Sequence, residues 1–116
     1  LGTRTSAVMT NNEEFSAAFV ELTKRTGEAF WPMPLPVELR ASLDSPVADL
    51  ANIGERMGGM LVAGLFLKEF VADELPWLHL DIAGPAYNEG AAHGYTPVGG
   101  TGIALRSLVQ LALEER

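Results

Sequence analysis

The stretch Trp77-Leu78-His79-Leu80-Asp81-Ile82-Ala83-Gly84-Pro85-Ala86 decides how the rest of the sequence is interpreted. Its apolar residues alternate with period two, so Leu78, Leu80 and Ile82 share one face of a predicted strand. The opposite face carries a Trp, a His and an Asp, which are seldom all left in water. We therefore expect helices to cover both faces of this strand, as in an α/β sheet.

The segment that follows this strand, residues 84–102, is rich in Gly and Pro. It leaves the carboxyl end of the strand, which is where open α/β sheets place their ligand crevices. The sequence therefore directs the search for a binding site to this segment.

His79 and Asp81 lie on one face of the predicted strand, roughly 6.5–7 Å apart between Cα atoms. Such a pair could share a metal ion, or it could act as a base with its orienting carboxylate. The only other histidine is His93, in a predicted loop, so a third ligand or a nucleophile is missing. These observations favour a structural, hydrogen-bonded pair.

Composition sets limits on the class of protein. The 116 residues suffice for one modest domain, and 47% of them are apolar, so the chain can bury a core. The net charge of −7 argues against nucleic acid or an anionic membrane as partner. The sequence has no cysteine, which fits a reducing compartment. We expect no signal peptide at the start, and the longest apolar run, residues 60–67, is too short to span a membrane.

The first half of the chain predicts a short strand at residues 5–10 and then an amphipathic helix. Asn11 is the expected N-cap, and Gly27 the residue that ends the helix. Its acidic first turn could hold a metal, but capping and the helix dipole explain those residues better. Four residues at helical spacing are expected to face the core: Phe15, Ala18, Phe19 and Leu22.

The middle of the chain predicts a connector, a short helix, a loop and a second long helix. Residues 31–36 must be extended because of their prolines; they could be a polyproline ligand, but a connector that buries Trp31, Met33 and Leu35 is favoured. A short helix should follow at residues 37–43.

Residues 47–57 are predicted to form a loop. Asp49 and Glu55 in this loop could bind metal, but loop hydrogen bonds through Asp49 and Asn52 are favoured. Residues 58–71 form an apolar helix that we expect to be buried on all sides.

The end of the chain predicts a long loop, residues 87–102, and a final helix. The Gly-rich end of this loop could hold phosphate on its backbone N–H groups. A tight turn with Thr101 as N-cap explains it better, because the lysine of a P-loop is missing. The final helix has an apolar stripe, and residues 114–116 should be a solvated end. The stripe consists of Leu105, Leu108, Val109 and Ala112.

Five stretches of this sequence resemble one known family, the leucyl (cytosol) aminopeptidases, in the family's own order. Residues 77–84 are similar to its W-A-H-L-D-I-A-G, with Leu78 where Ala is usual. The other four stretches match W-R-M-P-L at residues 30–35, A-D-x-x-N-I-G at 48–54, A-x-F-L-x-x-F at 63–71 and K-G-A-T-G at 99–102. The family's metal-binding sequence, N-T-D-A-E-G-R-L, is absent from these residues.

The resemblance implies a fold and an activity. It places residues 1–116 in the C-terminal portion of a metallo-aminopeptidase catalytic domain, an incomplete three-layer α/β/α domain. We expect mainly helices with about two sheet strands, and a missing N-terminal portion of the same chain that supplies the others. The intact parent would be a cytoplasmic homo-hexamer that removes N-terminal residues from peptides, preferably Leu. Two divalent ions, Mn or Zn, would activate its water.

By the same resemblance, the catalytic groups and all metal ligands precede Leu1, so we expect no catalytic residue and no metal ligand here. The chain would contribute substrate-binding residues instead. Ala83 and Ala86 match positions that line the pocket for the N-terminal side chain, and Ala86 replaces a Met of other members. Ile53 matches a position beside the pocket for the residue after the scissile bond. The alternative is a non-catalytic α/β module that binds an anion at residues 99–102 or only mediates assembly.

Overall fold

The computed structural model describes residues 1–114 and is organised around a three-stranded sheet. Its strands are β1 (Ser6–Thr10), β2 (Phe30–Pro32) and β3 (Leu78–Asp81). Strand β1 is central, because it pairs in parallel with β2 and antiparallel with β3. The sequence indicated about two strands; β2 is the addition, formed by the stretch that was expected to be an extended connector.

Helix α1 (Glu13–Thr26) connects β1 to β2, and its ends follow local rules. Gly27 ends it with φ of 76°, as predicted, because glycine adopts the left-handed conformation without strain. The N-cap is Asn12 and not Asn11: the Asn12 side chain accepts a hydrogen bond from the Phe15 amide. Asn11 instead bonds to the segment before β3, where its Oδ1 accepts from the Trp77 amide.

The buried face of α1 differs in part from the prediction. Phe19 and Leu22 are buried and Phe15 is half-buried, but Ala18 is exposed. Ser16 and Thr23 are buried instead. Thr23 can be buried because its hydroxyl donates to the Val20 carbonyl within the helix, which removes the cost of an unpaired polar group.

Helix α2 (Gly59–Lys68) covers the opposite face of the sheet. Gly64 allows α2 to approach β1 closely, since a methyl group there would lie 3.0 Å from Met9 Sδ. The helix is not buried on all sides, contrary to the prediction: Val62 and Leu65 are buried, whereas Leu67 is exposed. Within residues 1–114, the sheet and the neighbouring 3₁₀ segment cover only one side of this helix.

Two apolar clusters confirm a three-layer α/β/α arrangement. The first lies between the sheet and two helices, α1 and the last helix of the described chain. Val8, Phe19 and Phe30 form the centre of this cluster. The predicted strand face, Leu78, Leu80 and Ile82, packs against this cluster. The second cluster lies on the α2 side and is built from Leu43, Val62 and Leu65.

The connector after β2 is only partly buried. Trp31 is 63% exposed, and Phe30 takes the buried position instead, in edge-to-face contact with Phe19. Met33 is half-buried, and Leu35 packs against the second cluster. The prediction that Trp31 anchors the connector is therefore wrong, because Phe30 lies on the side of the strand that faces α1.

A 3₁₀ segment, Val37–Leu43, follows Pro36 within the predicted bounds. Residues 47–57 form a loop, also as predicted. The expected side-chain contacts differ, because Asp49 is exposed and the hydrogen bonds come from serines. Ser42 Oγ accepts from the Glu55 amide and Ser45 Oγ from the Ala48 amide.

The C-terminal segment contains two short strands and a helix. Strands β4 (Tyr87–Asn88) and β5 (Gly99–Gly100) pair antiparallel, and helix α3 (Leu105–Glu114) follows. The apolar stripe of α3 is largely exposed, and Ser107 is buried instead.

Glu114 is exposed and pairs with Arg25. The rest of the predicted solvated end, Glu115 and Arg116, lies outside the described residues. None of the helices in residues 1–114 is long and apolar enough to cross a membrane.

The exposed apolar residues predict the behaviour of the chain when it is produced alone. They occur on the sheet edge, the loops and the outer faces of α2 and α3, so we expect self-association or partial unfolding. Light scattering together with a dye that binds apolar surface would measure this. A monodisperse monomer with a cooperative melt and no dye binding would contradict it. Examples of these side chains are Trp31, Ile53, Phe70, Leu75, Tyr87, Tyr95 and Leu108.

Candidate functional site

The candidate site begins where β3 ends, in a turn formed by residues 82–86. The Asp81 side chain accepts a hydrogen bond from the Ala83 amide at 3.2 Å, and the Ala86 amide donates to the Ile82 carbonyl at 2.9 Å. These bonds turn the chain away from the sheet. Ala83 is exposed and Ala86 is half-buried, so the structure brings these two predicted pocket residues together on one turn.

Gly84 sets the shape of this turn through a backbone contact. A methyl group at Gly84 would lie 1.8 Å from the carbonyl oxygen of Gly2, so the turn and the first residues of the chain touch directly. No other residue fits this position without displacing the backbone.

A cavity of about 1030 Å³ adjoins the turn. Ala83 and Gly84 form part of its wall, whereas Ala86 is not among the residues that line it. The remaining wall comes from the start of the chain, the turn after α1, the 87–96 loop and the start of α3. This volume is at the upper end of the range for small-molecule sites. Its charged lining residues are Arg4, Glu28, Glu89 and Arg106.

One side of this cavity is held by Arg106 and Tyr95. The Arg106 guanidinium lies 4.0 Å from the centre of the Tyr95 ring, and its Nε donates to the Thr26 carbonyl at 3.1 Å. A cation over an aromatic face is stabilising. These contacts fix the 87–96 loop against the end of α1.

Ile53 lies apart from this turn. It is 81% exposed in the 47–57 loop, which packs against the 3₁₀ segment and α2, and it does not line the cavity. The structure therefore does not bring Ile53 together with Ala83 and Ala86.

His79 and Asp81 do not form the predicted hydrogen-bonded pair within the described chain. Asp81 bonds to the Ala83 amide, and the His79 ring lies beside Trp77 with ring centres 6.1 Å apart. Burial lowers the pKa of His79 below its ordinary value of 6.5, and the charge of Asp81 opposes this only in part. Neutral imidazole is thus the favoured form. Across residues 1–114 no group of three or more His, Cys, Asp or Glu residues could hold a metal ion.

Glu28 is the residue that the sequence interpretation missed. It is only 4% exposed, and its carboxylate accepts hydrogen bonds from the Ala104 amide, the Ser107 amide and the Ser107 hydroxyl. It therefore caps the first turn of α3 from a distant part of the chain. No local sequence pattern signals a cap from 76 residues away.

Thr101 is not the N-cap of α3, contrary to the prediction. Its hydroxyl donates to the Pro85 carbonyl at 2.6 Å and its amide donates to the Ala86 carbonyl at 3.0 Å. The alternative of an anion site at residues 99–102 loses its basis as well. The amides at the start of α3 already bind the Glu28 carboxylate, and Gly99 and Gly100 pair with β4.

The model of the cytosol aminopeptidase family, catalytic domain, matches residues 1–109. The chain belongs to this family. It is 62% identical over 112 residues to a probable cytosol aminopeptidase of Streptomyces griseus, with 97% of this chain and 22% of that protein covered. The chain thus spans about a fifth of the length of such curated relatives.

Two solved structures with a similar fold support this family assignment. The bottromycin maturation enzyme BotP is 43% identical with a TM-score of 0.92, over 100% of this chain and 26% of BotP. A mutant of tomato leucine aminopeptidase is 34% identical with a TM-score of 0.90, over 99% of this chain and 22% of that enzyme. These matches confirm the predicted α/β class.

The lowered pKa of His79 predicts a pH dependence of stability. The unfolded chain binds a proton near pH 6.5 and the folded chain only at lower pH, so the stability contributed by neutral His79 is present above pH 6.5 and is lost as the pH falls below it. Melting temperatures of the complete protein that carries this chain should fall between pH 7.5 and 5.5. His79→Gln should reduce this fall.

The matched control is His93→Gln, which makes the same substitution in the loop outside the three-stranded sheet. It measures how much of any change comes from replacing a histidine by glutamine at a position outside the sheet. An equal effect of the two substitutions would show that His79 is not the group responsible.

Proposed function

We propose that residues 1–116 form the C-terminal portion of the catalytic domain of a leucyl aminopeptidase. The complete enzyme hydrolyses N-terminal residues, preferably Leu, from peptides. The family match over residues 1–109 supports this proposal, together with the likeness to the tomato leucine aminopeptidase over nearly the whole chain. The activity belongs to the complete enzyme, of which this chain is about a fifth.

The metal ions of the proposed enzyme would be held outside this chain. A structure of BotP in complex with Mn, 43% identical with a TM-score of 0.91, supports a dependence on divalent metal. The described residues do not offer a fitting donor set, because their carboxylates and histidines do not cluster. We propose two ions, Mn or Zn, bound by residues that precede this chain, and we assign no catalytic residue within it.

The role proposed for this chain is to form the wall of the substrate pocket. Ala83 and Ala86 would line the pocket for the N-terminal side chain, and Ile53 the one beyond the scissile bond. The observation that carries this role is the 82–86 turn, where small residues at the carboxyl end of β3 adjoin the large cavity. Ala83 adjoins this cavity, and the proposal places Ala86 beside it in the complete enzyme, so that two small side chains would leave room for a Leu-sized group.

The proposed partners are the preceding part of the same chain, a peptide substrate and further copies of the enzyme in a cytoplasmic homo-hexamer. The exposed apolar residues of α2, α3 and β2 support the covering of this chain by other protein surface. The names of the relatives, cytosol aminopeptidases, support the compartment.

The isolated chain should not hydrolyse leucine anilide, even with excess Mn or Zn, because the proposed metal ligands are elsewhere. Release of the chromogenic amine measures this, with protein free of host aminopeptidase. Chelator-sensitive activity that co-purifies with the chain would contradict the assignment of all metal ligands to the preceding part.

Ala86→Phe in the complete enzyme tests the pocket directly. A ring at position 86 should fill the space for a Leu side chain, so the preference for leucyl over alanyl substrates should fall roughly tenfold. Hydrolysis of alanyl anilide should persist, because the metals are untouched. The measurement is kcat/KM for both anilides.

A melting curve and a control variant separate this result from a loss of stability. If Ala86 only packs inside the fold, Phe would overpack it and both substrates would lose alike. Ala17→Phe, at an exposed position of α1, provides the matched control and should leave the ratio unchanged. An unchanged ratio in Ala86→Phe would remove Ala86 from the pocket.

A further inference from the structure

The 82–86 turn is held by a residue that lies outside it. Thr101 donates from its hydroxyl to the Pro85 carbonyl and from its amide to the Ala86 carbonyl. Two consecutive carbonyls of the turn are thus fixed by one residue, 16 positions along the chain from Pro85. The Thr101 hydroxyl also accepts from the Ile103 amide, which sets its orientation.

Thr101 is in turn held by the start of α3. Ala104 has φ of 76°, an uncommon conformation for a residue with a side chain, and Gly102 has φ of 67°. The buried Glu28 carboxylate binds the Ala104 amide and both Ser107 donors, so this irregular backbone has a fixed partner beneath it. The strain at Ala104 persists because the surrounding structure over-determines it.

The pairing of β4 with β5 completes the connection. Tyr87 lies opposite Gly100, directly next to the contact between Ala86 and Thr101. Glu28 therefore holds Ala104, the adjoining Ile103 amide bonds to the Thr101 hydroxyl, and Thr101 bonds to the carbonyls of Pro85 and Ala86. The turn that carries Ala83 and Ala86 is thus connected to the start of α3 through Thr101.

We propose that Thr101 is a positioning residue for substrate selection: its hydroxyl fixes the backbone of the 82–86 turn and so sets the depth of the pocket for the N-terminal side chain. This inference rests on the proposed function. Thr101 also lines the cavity, but the role proposed for it is exerted through the Pro85 carbonyl and not on the reacting atoms.

The test compares Thr101→Val with Thr101→Ser in the complete enzyme. Val keeps the shape and the backbone amide but removes the hydroxyl, which leaves the Pro85 carbonyl without its donor. The ratio of kcat/KM for leucyl over alanyl anilide should fall about three- to tenfold, the range expected for one lost hydrogen bond. The loss should appear in KM for the leucyl substrate, with kcat nearly unchanged. Ser retains the hydroxyl and should restore the ratio.

Hydrogen exchange of the Ala86 amide adds a readout that does not depend on activity. It should be faster in Thr101→Val and unaltered in Thr101→Ser, because the turn opens more often when the Pro85 carbonyl is released. Thr5→Val, the same substitution before β1, is the control and should change neither exchange nor the substrate ratio.

The outcomes separate this inference from the proposed function. An unchanged ratio and unchanged exchange in Thr101→Val would overturn the positioning role, and a fall in kcat/KM that is equal for both substrates would do the same. If Ala86→Phe alters the ratio while Thr101→Val does not, the pocket assignment stands and only this inference fails. If the complete enzyme hydrolyses neither anilide, the proposed function fails, and exchange alone then decides whether Thr101 holds the turn.

Discussion

The burial of strand β1 on both faces is the constraint on which the rest of the structure depends. Val8 faces α1 and packs with Phe19, while Met9 faces α2 and lies against Gly64. Both side chains are fully buried, and each fully buried apolar side chain of this size contributes about 1.5–3 kcal/mol. Because β1 pairs with both other strands, its position fixes β2 and β3, and β3 in turn delivers the turn at its carboxyl end.

The second organising contact is electrostatic and lies at the first turn of α3. The Glu28 carboxylate joins the end of the α1–β2 connection to the first turn of α3, where unpaired amides favour a negative charge. A buried carboxylate is stable only when donors surround it, and here three donors do so. This contact thereby attaches α3 to the sheet through the connection that leads into β2. The 83–102 segment is therefore held at its start by β3 and at its end by α3.

Local patterns predicted the elements well, because they depend on neighbours in the sequence. The C-cap at Gly27, the 3₁₀ segment after Pro36 and the alternation in β3 all follow from residues within a few positions. The two-faced alternation of residues 77–83 predicted the α/β class, and the family resemblance implied the three-layer arrangement. What failed depends on contacts between distant residues: Phe30 rather than Trp31 faces the core, and Glu28 rather than Thr101 caps α3. The assignment of Ile53, Ala83 and Ala86 to a pocket came from the resemblance alone and stays a prediction.

The contact between Gly84 and the Gly2 carbonyl has a consequence for how sequences of this fold can diverge. Position 84 admits only glycine while the backbone keeps this path, since even a methyl group would overlap the oxygen. Positions 83 and 86 on the same turn already carry side chains, and Ala83 is exposed. Mutation can therefore alter the side chains of this turn while its main chain keeps the same path. We therefore expect variation on this turn in the side chains at positions 83 and 86, and a constant backbone path at position 84.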